Sequence, residues 1–295
     1  MSHNKTLFHK WLKGFFLAPY YLYLAGRRAR SAATANTSEN ILADIRAVVG
    51  NKDTVNGIKF SGFSTENCSG LMHTIHEVFV KHDYDFLAKD VRWIVIDIGA
   101  NLGVTSLFMA NKPNVEKVFA FEPLKPNFAE LNKNVRLNPA LADKVESFCM
   151  GLGDVDTKIS IPFNPNMNTC SSTTGLGSVG KMKGTWLEEV TVRESGAVLA
   201  PIIEGANGRG VFCKIDCEGA EFQILPNLQK NNILGKIDAI AMEVHGAPEE
   251  IVRILQDEGF FIFNRCQHPS DEQLKGESLW YVFAVNVACL AKKMQ

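Results

Sequence analysis

Beyond Asp90 the apolar positions of the chain settle into a regular rhythm, in which short apolar runs bounded by Gly, Pro or Asp alternate with longer amphipathic stretches. The runs "WIVIDI" (93–98), "KVFAFE" (117–122), "VESFCM" (145–150), "VFCKID" (211–216), "IDAIAMEV" (237–244), "FFIF" (260–263) and "LWYVFAV" (279–285) have the length and composition of buried strands. Between them, "VTSLFMANK", "PNFAELNKNVRL" and "PEEIVRILQDE" space their apolar residues at the helical period of about 3.6. Strands alternating with helices predict parallel pairing through right-handed crossovers, hence a doubly wound α/β sheet. No crossover helix precedes "LWYVFAV", so that run is expected as an antiparallel insertion near the sheet edge.

Two regions break the rhythm. From 157 to 208, "KISIPF" and "WLEEVTVRE" are expected to pair as strands around "NPNMNTCSSTTGLGSVGKMKG" (164–184), which is poor in apolar residues. A long loop between two core strands is read equally well as an active-site lid or as plain disorder. At the other end, "FHKWLKGFFLAPYYLYLAGRRAR" (8–30) is apolar and aromatic between cations. It is too short for a membrane span, which takes about 20 residues, and Pro19 interrupts it. Both a segment lying in a membrane interface and a helix packed on its own domain fit this composition. Residues 31–40, small and polar, read as a linker. The expected organisation is an N-terminal segment with linker (1–40), a cap region (41–90) and an α/β domain (91–295).

Composition narrows this little. A net charge of −1 gives no sign of a nucleic-acid partner. Seven cysteines, an odd number with no CxxC, argue against a disulfide framework or zinc site and favour a reducing cytoplasm.

The candidate chemistry lies at strand ends. "WIVIDI" runs into "GANLG" and then a helix, so Gly99 permits a tight turn and Gly103 lets the helix start close to a ligand. Asp97 sits at the end of the strand, where open α/β sheets bind ligands. A dinucleotide loop reads GxGxxG, but Asn101 occupies the middle position here, and G-x-x-x-G suits a nucleoside cofactor without phosphates. Nineteen residues after Gly103, Glu122 ends the next strand, where a carboxylate can accept from both hydroxyls of a ribose. In "KIDCEGAE", Asp216, Glu218 and Glu221 gather at a strand end and the first helical turn, where the helix dipole favours negative charge. Lys214 alternates onto the same face as Asp216. In "MEVH", His245 suits acceptance of a hydroxyl proton near neutral pH, with Glu243 on the same strand face to orient it. His73 and His76 share a helical face without an acidic partner pattern and read as solvated or structural.

The segments "VIDIGANLGVTSLFMA", "VFAFEPLKPNFAELNKNVRLN", "GLGD", "KIDCEGAE" and "MEVH" resemble the FkbM-type S-adenosylmethionine-dependent methyltransferases over roughly residues 90–265. The resemblance implies a class I methyltransferase fold with a seven-stranded sheet. It also implies methyl transfer to a hydroxyl of a sugar, glycan or natural product. Carried over, Asp97, Gly99, Ala100, Asn101 and Gly103 would surround the methionine and ribose, Glu122 would take the ribose hydroxyls and Asp154 the adenine amine. Asp216 would face the sulfonium and amine, leaving Asp216, Glu218, Glu243 and His245 as catalytic candidates. No metal is required, though Asp216, Glu218 and Glu243 could ligate Mg²⁺ beside a vicinal diol. "ESGAVLAPIIEG" (194–205) departs from the family pattern, which leaves the local helix and the substrate wall open. The rival readings are a nicotinamide-dependent oxidoreductase and an inactive membrane-associated module. The missing middle glycine counts against the first, and the intact loop and acidic residues count against the second.

Overall fold

All six residues of β1 (Trp93–Ile98) are buried, as befits a strand covered on both faces. In the computed structural model, which describes residues 38–49, 53–63, 70–85, 87–165, 183–267 and 279–293, β1 lies at the centre of a seven-stranded sheet. Its order is β3 (Val145–Phe148), β2 (Val115–Phe121), β1, β7 (Gly210–Ile215), β8 (Ala239–His245), β10 (Leu279–Asn286) and β9 (Phe260–Gln267). Six strands run in one direction, and β10 lies antiparallel to both of its neighbours, as the missing crossover helix predicts. β2 and β7 each stop one residue short of the sequence reading, so Glu122 and Asp216 stand just past the ladder.

Each sheet face has its own apolar cover. One face packs on α1 (Ser38–Val48), α2 (Gly70–Ile75), the π-helical turn His76–Val80 and α3 (Val104–Ala110). All seven residues of α3 are buried, which explains its lack of a polar side. The cap therefore shares one continuous core with β1, β7, β8 and β10. α4 (Lys125–Arg136) packs Leu131 against Ala100 and Ala120 and carries Asn134 in its last turn. The opposite face packs on α5 (Ser195–Glu204), α6 (Glu221–Lys230) and α7 (Glu249–Asp257). α5 forms across the departing segment "ESGAVLAPIIEG". Glu194 caps it by accepting from the Ala197 N–H, and buried Leu199 and Ile203 hold it despite Pro201 inside the helix.

A second sheet of three strands, β4 (Gly151–Gly153), β6 (Trp186–Glu194) and β5 (Thr157–Phe163), stands beside the first. β5 and β6 form the expected antiparallel pair. The proposed lid between them (166–182) and the apolar segment 8–30 lie outside the described residues. Among those described, no helix is long and apolar enough to cross a membrane.

Near the N-terminus the structure adds three details to the sequence reading. Helix α1 already begins at Ser38, within the stretch read as linker. His76 is buried and paired at 3.1 Å with Asp44 of α1, a partner 32 residues away that local spacing cannot show. The segment 75–86, without clear periodicity, contains the π-helical turn.

Two asparagines clamp the cap to α4. Asn138 accepts from the Lys59 N–H at 2.9 Å and donates to the Lys59 carbonyl at 2.8 Å. Asn134 accepts from the Ser61 N–H at 2.7 Å and donates to the Leu102 carbonyl at 2.8 Å. Replacing Asn138 by Ala strands a partly buried donor and acceptor, so Asn138→Ala should lose about 1–3 kcal/mol in urea unfolding. An unchanged midpoint would show that the clamp carries no weight.

Candidate active site

The strand order reverses between β1 and β7, the crevice where open α/β sheets take ligands. Here the two strand ends touch. Gly99 adopts φ +76°, and a Cβ on it would lie 1.7 Å from the Asp216 carbonyl oxygen, so no other residue fits. The Asp216 N–H donates to the Ile98 carbonyl at 3.1 Å, and the Gly99 and Ala100 N–H groups both donate to the Phe121 carbonyl. Gly103, with φ +78°, starts α3 hard against Leu131.

Asp97 is fully buried within β1, and Ser106 of α3 donates to its Oδ2 at 2.6 Å. Lys214, only 2% exposed, places Nζ 3.4 Å from both Asp97 and Asp216 and donates to the Gly99 carbonyl at 2.7 Å. Burial works against its charge, but Asp216 and Asp97 outweigh that and hold the amine pKa above its ordinary value. Lys214 is thus a fixed cation under the loop.

Glu122, 4% exposed, accepts from the Asn101 N–H at Oε2 and the Leu124 N–H at Oε1, both at 2.9 Å. Burial pushes its carboxyl up to about 7, against these two donors and the charge of Lys214. Asn101 has φ +51°, and its buried Oδ1 has no hydrogen-bond partner among the described residues.

The turn after β7 is held by Glu221, which is fully buried. It accepts from the Cys217 N–H at 3.0 Å and the Gly219 N–H at 2.9 Å, fixing Glu218 at φ +56°. The same carboxylate lies 3.2 Å from His245 Nδ1, while His245 Nε2 lies 3.5 Å from Glu218. Glu221, not Glu243, therefore orients the imidazole. Burial alone would lower the His245 pKa, but the Glu221 contact and the charges of Glu218, Glu221 and Asp216 raise it to about 10. The ring is an imidazolium at neutral pH, which removes the premise of a neutral histidine base. Burial, reinforced by Asp216 and Glu77, pushes the Glu243 carboxyl well above the ordinary range. Among the described residues, Asp216, Glu218 and Glu243 do not form a cluster able to hold a metal ion.

A pocket of about 230 Å³ opens beside this junction. Ile98, Gly99 and Phe121 form its floor, Cys217, Ala220 and Gln223 one side, and Leu152 and Asp154 the rim. Thr157, Ile159, Ile161 and Val192 of the small sheet close it. Asp154 is exposed at the edge, its carbonyl accepting from Asn227 Nδ2 at 3.1 Å. Sequence reasoning missed Gln223 and the β5 wall, although alternation along "TKISI" puts residues 157, 159 and 161 on one face.

The profile described as Methyltransferase FkbM domain matches residues 97–262. Methyltransferase sdnD of Sordaria araneosa is 27% identical over 214 residues, covering 63% of this chain and 80% of that protein. Methyltransferase 1 of Beauveria bassiana is 24% identical over 204 residues, covering 63% and 79% respectively. The crystal structure of Methyltransferase FkbM from Methylobacillus flagellatus is 14% identical with a TM-score of 0.43. That alignment covers 83% of this chain and 58% of the other.

The Lys214 bridge has a measurable weight. Removing one partner of a buried ion pair leaves the other charge unpaired, so Lys214→Met should lower the unfolding free energy by about 3–5 kcal/mol. A loss within the error of a denaturant titration would mean that Asp97 and Asp216 need no counter-charge.

Proposed function

The chain belongs to the FkbM methyltransferase family, and from that membership we propose that it transfers the methyl group of S-adenosylmethionine to a hydroxyl oxygen of a sugar, glycan or natural-product acceptor. The observation that carries this reading is the junction of β1 with β7. There a glycine loop lines an apolar pocket sized for a nucleobase, and the same loop carries the buried, orphaned Asn101 Oδ1 and is tied through the Asn101 N–H to the Glu122 carboxyl. These features fit a nucleoside cofactor carrying an amine. Membership of a methyltransferase family also sets aside the nicotinamide reading.

S-adenosylmethionine, when bound, supplies an electrophilic methyl group on a sulfonium. The protein's part is to bind, orient and exchange a proton. Each Glu122 oxygen uses one lone pair on a backbone N–H and keeps another for a ribose hydroxyl. Asn101 Oδ1 can accept from the amine, and the apolar wall with Asp154 at its rim suits adenine. Asp216, held by Lys214, presents negative charge toward the sulfonium side. The acceptor's proton passes to Glu218, 27% exposed on its left-handed turn, with the His245 imidazolium stabilising the charge that moves. Glu221 fixes that imidazolium through Nδ1 and so acts as a positioning residue.

Ribose hydroxyls donate to an ionised carboxylate, so binding must pull the Glu122 pKa down from about 7. Affinity for S-adenosylhomocysteine should therefore rise with pH up to about 7 and level off above it, with proton release below that point. Glu122→Gln should flatten this dependence, and Glu122→Ala should weaken binding about tenfold or more. A pH-independent affinity in the wild type, measured by calorimetry, would remove Glu122 from the ribose.

Methyl transfer itself should stay level from neutral pH to about 10, then fall as His245 loses its proton. His245→Ala should cut the single-turnover rate by about 10²-fold or more. A rate that instead rises with pH near 6.5, the ordinary imidazole value, would restore a neutral histidine base. Labelled methyl transfer to any member of a panel of hydroxylated acceptors tests the activity and excludes an inactive module.

A further inference from the structure

One face of α6 is tied to the rim of the pocket. Asn227 is 6% exposed, and its Nδ2 donates to the Asp154 carbonyl at 3.1 Å. Its Oδ1 accepts from the Ser195 hydroxyl at 2.9 Å and from the Gly196 N–H at 2.8 Å, which joins α6 to the start of α5. Gln223 precedes Asn227 by four residues and so lies on the same helical face, one turn nearer the start of α6. The contact that holds the Asp154 peptide therefore also holds Gln223 beside it. Both residues line the pocket of about 230 Å³.

The Gln223 side chain reaches across to β4. Its Oε1 lies 3.2 Å from where a Cβ on Gly153 would sit, and Val192 Cγ1 bounds the same position at 2.9 Å. Glycine at 153 thus leaves the room that the amide uses. A glutamine at the third helical position often reaches back to the N-cap N–H. Here the Ala220 N–H donates to the Cys217 carbonyl at 3.3 Å instead. Among the described residues the Gln223 amide makes no hydrogen bond. The other polar side chains of the lining have narrower means. Cys217 Sγ lies 3.4 Å from Glu221 Oε1, Thr157 offers a single hydroxyl, and an ionised Asp154 only accepts. Among the described lining side chains, only Gln223 carries a donor and an acceptor next to each other in one plane.

We propose that Gln223 reads the adenine base of the cofactor, its carbonyl oxygen accepting from the N6 amine and its NH2 donating to the ring nitrogen beside that amine. Adenine sets a donor next to an acceptor on two edges, N6 with N1 and N6 with N7, and a primary amide matches either edge bidentately. The N6 amine has two hydrogens, so the Asp154 carboxylate at the rim takes the one that Gln223 leaves. Ile159, Ile161 and Val192 supply an apolar wall that suits any flat ring, and the amide supplies the distinction among such rings. The inference rests on S-adenosylmethionine as the cofactor and adds a base-reading residue outside the glycine loop and the acidic strand ends.

The test is calorimetry on the full chain with S-adenosylhomocysteine and its 1-deaza and 7-deaza analogues, which keep the amine and each lack one ring nitrogen. The wild type should bind one analogue about three- to tenfold more weakly than S-adenosylhomocysteine, the factor that one hydrogen bond supplies, and the affected analogue names the edge. Gln223→Leu should weaken S-adenosylhomocysteine by a similar factor and bind the affected analogue no more weakly than S-adenosylhomocysteine. Gln223→Glu keeps the shape of the side chain and an acceptor for N6 but, when ionised, has no N–H for the ring nitrogen, so it too should lose the discrimination. Gln223 is exposed, so the unliganded thermal midpoints of both variants should match the wild type. Discrimination that survives in both variants would overturn the proposal. A wild type that binds all three ligands alike removes the role of Gln223 and leaves the cofactor reading standing, whereas one that binds none of them removes both.

Discussion

Lys214 Nζ lies 3.4 Å from both Asp97 and Asp216 and donates to the Gly99 carbonyl, so one buried ammonium ties the ends of β1 and β7 to the loop between β1 and α3. Without it, the fully buried Asp97 carboxylate would lose its counter-charge, at a cost of several kcal/mol. With it, the backbones close until Gly99 meets the Asp216 carbonyl at a distance that excludes a side chain. The glycine requirement and the buried lysine are thus two sides of one constraint. The crevice exists where the strand order reverses, and its shape is set by a charge beneath it rather than by the loop alone.

Glu221 does a similar job one turn later. A fully buried carboxylate would ordinarily be a liability, yet two backbone N–H groups and the His245 ring satisfy it. It thereby fixes Glu218 in a left-handed conformation that a residue with a Cβ rarely adopts. Strain of this kind persists only where neighbours over-determine it, and it leaves Glu218 as the part of the acidic turn that faces solvent and His245 together.

How much of this was legible depends on whether the determinant was local. The strands were, because buried runs in a parallel sheet are nearly continuous in apolar character, and β10 was readable as antiparallel because no helix precedes it. Gly99, Gly103 and Glu122 were legible because backbone conformation and strand ends impose residue types at fixed spacing. The partner of His245 was not. Strand alternation offers Glu243, while the actual partner arrives from the first turn of a helix on the other side of the strand end. His76 and Asp44 fail for the same reason across 32 residues. Helix α5 shows the converse, since an internal proline weakens the local signal but not the burial of Leu199 and Ile203.

The cap is where fold and chemistry meet. Its helices complete the apolar core over one sheet face, so the α/β domain does not end at Asp90 in any energetic sense. The same packing that buries Tyr84 and Val78 holds Glu77 on the π-helical turn, where burial pushes its carboxyl up to about 7. Had the cap served stability alone, apolar side chains there would have been cheaper than carboxyls pushed toward protonation by burial.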